Sequence, residues 1–235
     1  EKGKFKPSWK YIMVDEFQDI SDPRAQLVKA LKEKAMNCSL FCVGDDWQSI
    51  YRFAGSDISF TTGFSNYFGV TQFTKLKKTF RFDSSICDVS SQFVLKNLHQ
   101  TKKTITTLKK VKSPSISLLR QSNNVAPGNN EKFIKILSKL SVRNDEGNSN
   151  YLLGRYLQVD KVLKSIIKIN NKASVLILAR YNFALPSPSE MSLHKEKFPA
   201  LNLMKNTVHS SKGKEADFVI VVELQSGKHG FPSEK

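Results

Sequence analysis

Two adjacent carboxylates stand directly behind an apolar run: Tyr11-Ile12-Met13-Val14 leads into Asp15-Glu16-Phe17-Gln18-Asp19. A continuous apolar run of this kind reads as a strand buried on both faces of a parallel sheet. Its carboxyl end is where ligands of open α/β sheets sit. Side-by-side acids are costly there unless a cation or a proton transfer uses them. Nucleotide hydrolysis uses both, with one carboxylate on Mg²⁺ and its neighbour orienting or deprotonating water. A solvated turn after a strand is the plainer reading of this stretch taken alone.

A second polar cluster follows at the end of a second apolar run. Ser39-Leu40-Phe41-Cys42-Val43 leads into Gly44-Asp45-Asp46-Trp47-Gln48-Ser49-Ile50-Tyr51-Arg52-Phe53-Ala54-Gly55. Between the two runs, Ser21-Asp22-Pro23 is a helix-start signal. Ala25, Leu27, Val28 and Leu31 continue at helical spacing to about residue 36. Strand, helix and strand in so short a span make a βαβ unit. In a parallel pair both carboxyl ends open on one edge, so Asp15, Glu16, Asp45, Asp46 and Gln48 are expected to converge on one crevice. The Gln48 amide can accept from a water and donate to a phosphate oxygen. Tyr51 and Phe53 are stacking platforms for bases if exposed and ordinary core if buried; the sequence leaves both open.

The elements that must position these groups continue in α/β fashion. Residues 56–70 read as a short helix and loop with interspersed aromatics. Residues 71–76 alternate as a strand does. Thr79-Phe80-Arg81-Phe82 precedes an Asp83-Ser84-Ser85 helix cap, with Ile86, Val89, Phe93 and Val94 as the apolar face. An Arg at that place suits an anion contact or a surface ion pair. Residues 99–113 look like an exposed Lys- and Thr-rich connection, and residues 115–119 alternate as a strand. Residues 121–130 form a loop by composition, 133–140 a helix, 143–150 a polar loop and 159–169 a helix. Residues 174–179 form a buried strand ending in Arg180. Strands over residues 201–208 and 218–222 flank the polar exit His209-Ser210-Ser211-Lys212-Gly213-Lys214-Glu215, a place of the kind that holds phosphates.

Composition narrows the partners. Lys and Arg number 37 against 21 acids in 235 residues, a formal charge of +16. That excess points to a polyanion, nucleic acid before a membrane surface. No apolar run approaches the roughly 18 residues of a membrane span, and no signal peptide opens the chain. Cys38, Cys42 and Cys87 form no zinc pattern or disulfide framework, which suits a reducing cytosol.

Four stretches together, in this order, resemble the UvrD/Rep-type superfamily 1 DNA helicases over most of the chain. Asp15-Glu16-Phe17-Gln18-Asp19 resembles that family's Walker B motif, and residues 43–55 its third motif. Thr79-Phe80-Arg81 is similar to its fourth, and Thr207-Val208 with residues 209–215 to its fifth. The resemblance implies two RecA-like parallel-sheet domains of the P-loop NTPase type, the first incomplete. Residues 1–75 would belong to the first and residues 76–235 to the second. It implies ATP and Mg²⁺ as cofactors, single-stranded and duplex DNA as partners, and translocation, 3′ to 5′ by family. Asp15 would hold Mg²⁺ and Glu16 activate water. Gln48 would sense the γ-phosphate and Arg81 contact it. Phe80 would stack on adenine, and Gly213 and Glu215 would lie at the nucleotide. Tyr51, Phe53, His209 and Lys212 would line the DNA.

The departures from the family's pattern are specific. The phosphate-binding GxxxxGK[ST] loop does not occur in the chain, and the family's last motif is not reached before Lys235. The expectation is therefore a fragment whose further partner is the P-loop region of the same polypeptide, poorly active by itself. Position 54 is Ala where many relatives carry Arg. The competing expectation is a non-catalytic nucleic-acid-binding or regulatory remnant of a helicase. A nuclease reading is the weaker third expectation, because nucleotide chemistry accounts for the acids and no Lys in the sequence pattern completes an acid–acid–Lys set.

Overall fold

The computed structural model describes residues 7–35, 37–120 and 146–226. It is an α/β protein with small, wholly parallel sheets. Two compact units divide it, Glu1–Ser117 and Leu118–Lys235.

In the first unit β1 (Tyr11–Val14) pairs in parallel with β2 (Ser39–Cys42), with Tyr11 opposite Ser39 and Val14 opposite Cys42. Helix α1 (Asp22–Lys34) makes the crossover, with Pro23 in its first turn and Lys32 and Lys34 in its last. The proline's fixed φ suits the start and the lysines suit the negative end of the helix dipole. Ser21 occupies the cap position without a side-chain cap bond. Burial corrects one expectation: β1 and β2 are not covered on both faces within this unit. Ile12, Val14, Leu40 and Cys42 face inward, whereas Tyr11, Met13 and Phe41 are exposed.

The inner face packs on an aromatic cluster. Phe17, Ile20, Ala25, Phe60, Phe64 and Phe68 are buried together, with Val14, Val28 and Leu40 against them. Phe60 comes from α2 (Ser59–Thr62), Phe64 and Phe68 from α3 (Phe64–Phe68), and Phe17 from the turn after β1. Phe17 meets Phe64 and Phe68 edge-on at 5.2 and 5.8 Å, a favoured ring geometry.

The remainder of this unit holds β3 (Lys78–Thr79), α4 (Ser84–Val94) and β4 (Thr106–Thr107). Asp83 caps α4 by accepting from the N–H groups of Ser85 and Ile86 at 2.9 and 3.2 Å, and Ser115 Oγ donates to the same carboxylate at 2.6 Å. The strands expected over 71–76 and 115–119 are not formed. Phe73 and Leu76 stay exposed, so the alternation there lacks a paired neighbour to turn it into a sheet. On α4 the expected apolar face is only partly covered, since Val89 and Phe93 are exposed.

The second unit is built on α5 (Glu146–Ile169), β5 (Ser174–Ala179), α6 (Pro188–Lys197), β6 (Asn202–Thr207) and β7 (Phe218–Val221). The sheet order is β6-β5-β7, all parallel. Central β5 is buried on both faces, as its unbroken apolar run predicts. Val159, Leu163 and Ile166 of α5 pack on Val175, Ile177, Met191, Phe198 and Leu203. Of the polar loop expected over 143–150, residues 146–150 instead begin α5, and residues 143–145 fall outside the described residues. The loop over 121–130 and the helix over 133–140 fall outside the described residues. Among the described residues no helix is long and apolar enough to cross a membrane.

Candidate functional site

The turn after β1 divides its side chains by burial. Phe17 and Gln18 are buried in a 3-10 turn (Phe17–Asp19), while Asp15 and Glu16 are exposed at the strand tip. The aromatic cluster holds Phe17 inward, and this leaves the carboxylates facing outward. Glu16 adopts φ 49°, ψ 41°, the left-handed region. A non-glycine residue there costs of order 1 kcal/mol and calls for local support. Its N–H donates to Asp15 Oδ1 at 2.8 Å. The next N–H, of Phe17, continues the ladder to the Val43 carbonyl at 2.9 Å.

The parallel partner delivers the second acid cluster to the same edge. Asp45 caps the 3-10 turn Asp46–Gln48 by accepting from Trp47 N–H at 3.1 Å. Gln48 is exposed and its amide donates to Asp45 Oδ2 at 2.7 Å. Gln18 joins the two clusters: it donates to the Glu16 carboxylate and accepts from Asp45 N–H at 2.8 Å. Glu16, Asp45 and Gln48 are thus brought into one bonded set, with Asp15 and Asp46 beside it.

A cation completes this set. Lys103 Nζ bonds Asp45 Oδ1, and Asp46 Oδ1 at 3.0 Å, and lies 4.8 Å from the centre of the Trp47 ring. The neighbouring backbone locks in place: Thr101 N–H donates to Asp46 Oδ2 at 2.6 Å, and Trp47 Nε1–H donates to the Thr101 carbonyl at 3.0 Å. Burial works to raise the Asp45 carboxyl; the Lys103 and Gln48 bonds and the Lys103 charge more than offset it, leaving it below the usual carboxylate range. The 99–113 stretch is therefore not a plain exposed connection. It pins the Asp46–Gln48 turn, and its Thr107 is buried.

The aromatics next to this edge divide. Phe53 is 74% exposed and Tyr51 half-buried, with their rings edge-to-face at 6.1 Å. Exposure at that level gives Phe53 a face a base could stack on. Phe80 and Arg81 are both exposed on the segment between β3 and α4, and Arg81 N–H reaches Thr79 Oγ1 at 3.4 Å. Burial pushes the Cys42 thiol up to about 12, which leaves it unreactive.

In the second unit the exits of β5, β6 and β7 share one edge because all three run parallel. The β6 exit is tied by short hydrogen bonds. Thr207 N–H donates to Ser210 Oγ at 3.1 Å, Ser211 Oγ to the Val208 carbonyl at 2.7 Å and Lys214 N–H to the Ser211 carbonyl at 2.9 Å. Gly213 has φ 78°, which only glycine adopts without strain. His209, Gly213 and Glu215 are exposed and Lys212 half-buried. The turn presents them on the edge beside Arg180, which follows the last β5 residue.

Gln18 and Lys103 are site residues that reading the sequence missed. The signal for Gln18 was an amide two residues after a pair of acids. Nothing local marks Lys103 among its neighbouring lysines. For a hard cation the donor set is suitable: Asp15 and Glu16 offer carboxylate oxygens at an exposed tip, whereas Asp45 and Asp46 already hold Lys103. No cluster of three or more metal-ligating side chains occurs among the described residues. Magnesium bound through one carboxylate, water and phosphates needs none.

Comparison with known proteins bears on the same stretches. Residues 2–69 match the family described as UvrD/REP helicase N-terminal domain. The chain is 37% identical over 233 residues to DNA helicase IV of Escherichia coli (strain K12), covering 99% of this chain and 29% of that protein. It is 31% identical over 103 residues to ATP-dependent DNA helicase PcrA of Bacillus subtilis (strain 168), 44% of this chain and 14% of that one. A probable DNA helicase II homolog of Rickettsia conorii is 26% identical over 186 residues, 79% of this chain and 24% of its own. The chain thus spans less than a third of the length of each of these relatives.

Proposed function

Starting from a chain related to the UvrD/Rep-type DNA helicases, we propose that it forms part of an ATP-dependent DNA helicase. It would couple ATP hydrolysis to movement on single-stranded DNA, 3′ to 5′, and to duplex unwinding, in the cytoplasm. Residues 1–75 would be the later part of a first RecA-like domain and residues 76–235 part of a second.

The observation that carries this reading is the bonded edge of β1 and β2. Acids, an exposed amide and a strained Glu16 stand together where two parallel strands end. When bound, Mg²⁺ would neutralise phosphate charge and orient the leaving group, with Asp15 as its protein ligand. Glu16 would take the proton of the attacking water at its carboxylate. Gln48, hydrogen-bonded to Asp45, would report the terminal phosphate to the Tyr51–Phe53 pair, on which single-stranded DNA would stack. Phe80 would stack on adenine and Arg81 would meet the γ-phosphate. Gly213 and Glu215 would face the nucleotide, and His209 and Lys212 the DNA backbone.

The test is Glu16→Gln in the protein at its full natural length. ATP turnover stimulated by single-stranded DNA should disappear while ATP still binds. Unchanged turnover would remove Glu16 from the chemistry, and absence of turnover in the wild type would favour a nucleic-acid-binding remnant.

A further inference from the structure

Gln18 has no part in the hydrolysis or DNA path just proposed, yet its side chain is wholly buried, at 0% exposure. A buried primary amide is costly unless its donor and acceptor sides are both satisfied. Here each side meets a functional stretch. Gln18 Oε1 accepts from the backbone N–H of Asp45 at 2.8 Å, and Gln18 Nε2 donates to Glu16 Oε2. The Gln18 carbonyl also accepts from Ser49 Oγ at 3.2 Å.

The orientation of the amide has one solution. A backbone N–H can only donate and an ionised carboxylate can only accept, so Oε1 must face Asp45 and the NH₂ must face Glu16. The slot is closed by Gly44, where an added Cβ would stand 2.9 Å from Gln18 Oε1 and 3.2 Å from both Gln18 N and Phe17 Cβ. Glycine at 44 is what lets the β2 backbone approach this closely. On the other side Phe17 is fixed in the aromatic cluster. One rigid amide plane therefore spans the two strand tips. It holds the carboxylate of a residue whose backbone sits in a disfavoured region.

Resting on the reading of Glu16 as the group that activates water, we propose that Gln18 is a positioning residue that aims the Glu16 carboxylate by tying it to the Asp45 backbone. Wholly buried, Gln18 offers no surface to a nucleotide or to DNA. It transmits the place of the third-motif turn to the carboxylate oxygen, so that Glu16 is correctly aimed only while Asp45 is in its observed position.

Two substitutions in the protein at its full natural length test this. Gln18→Met fills the volume and removes both bonds. Gln18→Leu also removes both bonds and places no second acid beside Glu16. With oligodeoxythymidylate as the stimulating strand, both variants should lose about 100-fold in kcat. The KM for ATP and the Kd for the oligonucleotide should stay within about twofold, and the thermal unfolding transition should stay cooperative. If Gln18→Met turns over within about threefold of wild type while Glu16→Gln is inactive, the positioning role is wrong and the proposed function survives. If Glu16→Gln itself turns over normally, the reading beneath it has failed. If both Gln18 variants lose ATP binding or cooperative unfolding along with kcat, Gln18 only maintains the fold and the positioning role is overturned.

Discussion

Acidification should loosen the second unit through one imidazole. His194, on α6, is 1% exposed and stacks on Tyr156 with ring centres 4.4 Å apart and planes 14° from parallel. Its Nδ1 has no hydrogen-bond partner among the described residues. Burial is the largest influence and lowers its pKa from 6.5 to about 4; Asp160 and Glu190 pull it upward, and Lys197 adds to the lowering. The folded pKa lies below the unfolded one, so the unfolded state binds the extra proton between the two values. Stability is whole above about 6.5 and is lost as pH falls towards 4. Linkage over that gap gives a loss of about 2 kcal/mol between pH 7 and pH 5, from 1.36 kcal/mol per unit at full separation. Urea unfolding followed at both pH values, for wild type and His194→Gln, isolates this part, because every other titrating group is common to both. The wild type should lose about 2 kcal/mol more than the variant. Equal losses would mean that His194 charges without cost, refuting the argument from its burial.

Other substitutions probe other parts of the framework. Gly44→Ala should destabilise the first unit by about 1–3 kcal/mol, because its Cβ would crowd Gln18 and Phe17; a denaturant midpoint unchanged from wild type would show that the slot is loose. Arg155 donates to Glu190 twice, at 3.2 and 2.6 Å, and to Glu223 at 3.2 Å, with both Arg155 and Glu190 buried. Arg155→Met should therefore cost about 3–5 kcal/mol by stranding a buried carboxylate, and Glu190→Leu added to it should recover part of that loss in the same melts. Phe53→Ala should weaken oligonucleotide binding by about 1–3 kcal/mol in an anisotropy titration without altering stability; unchanged binding would take Phe53 off the DNA path.

What could be read in advance was whatever a short stretch of chain decides by itself. The two apolar runs at 11–14 and 39–42 had to be strands, and the acids behind them had to stand at their tips. The run at 174–179 is apolar on both faces because both faces are covered. What escaped depends on partners far along the chain. Lys103 meets Asp45 and Asp46 across more than fifty residues, and no local pattern sets it apart from Lys102. Gln18 is defined by Gly44 and Asp45, which reach it only through strand pairing. Alternation at 71–76 misled because period two makes a strand only when a neighbour supplies the ladder. Helix α6 went unread although Ser187 and Glu190 form a reciprocal capping box, since few apolar residues follow it.

The docking of Thr101 on Asp46 has a kinetic consequence. Its amide proton is committed to a carboxylate rather than to water, although it sits at the start of a lysine-rich stretch. In deuterated solvent it should exchange far more slowly than the amides of Lys102 and Lys112, exposed residues of the same stretch. Its exchange time would then be a clock for how often the Lys103 clasp releases the two carboxylates.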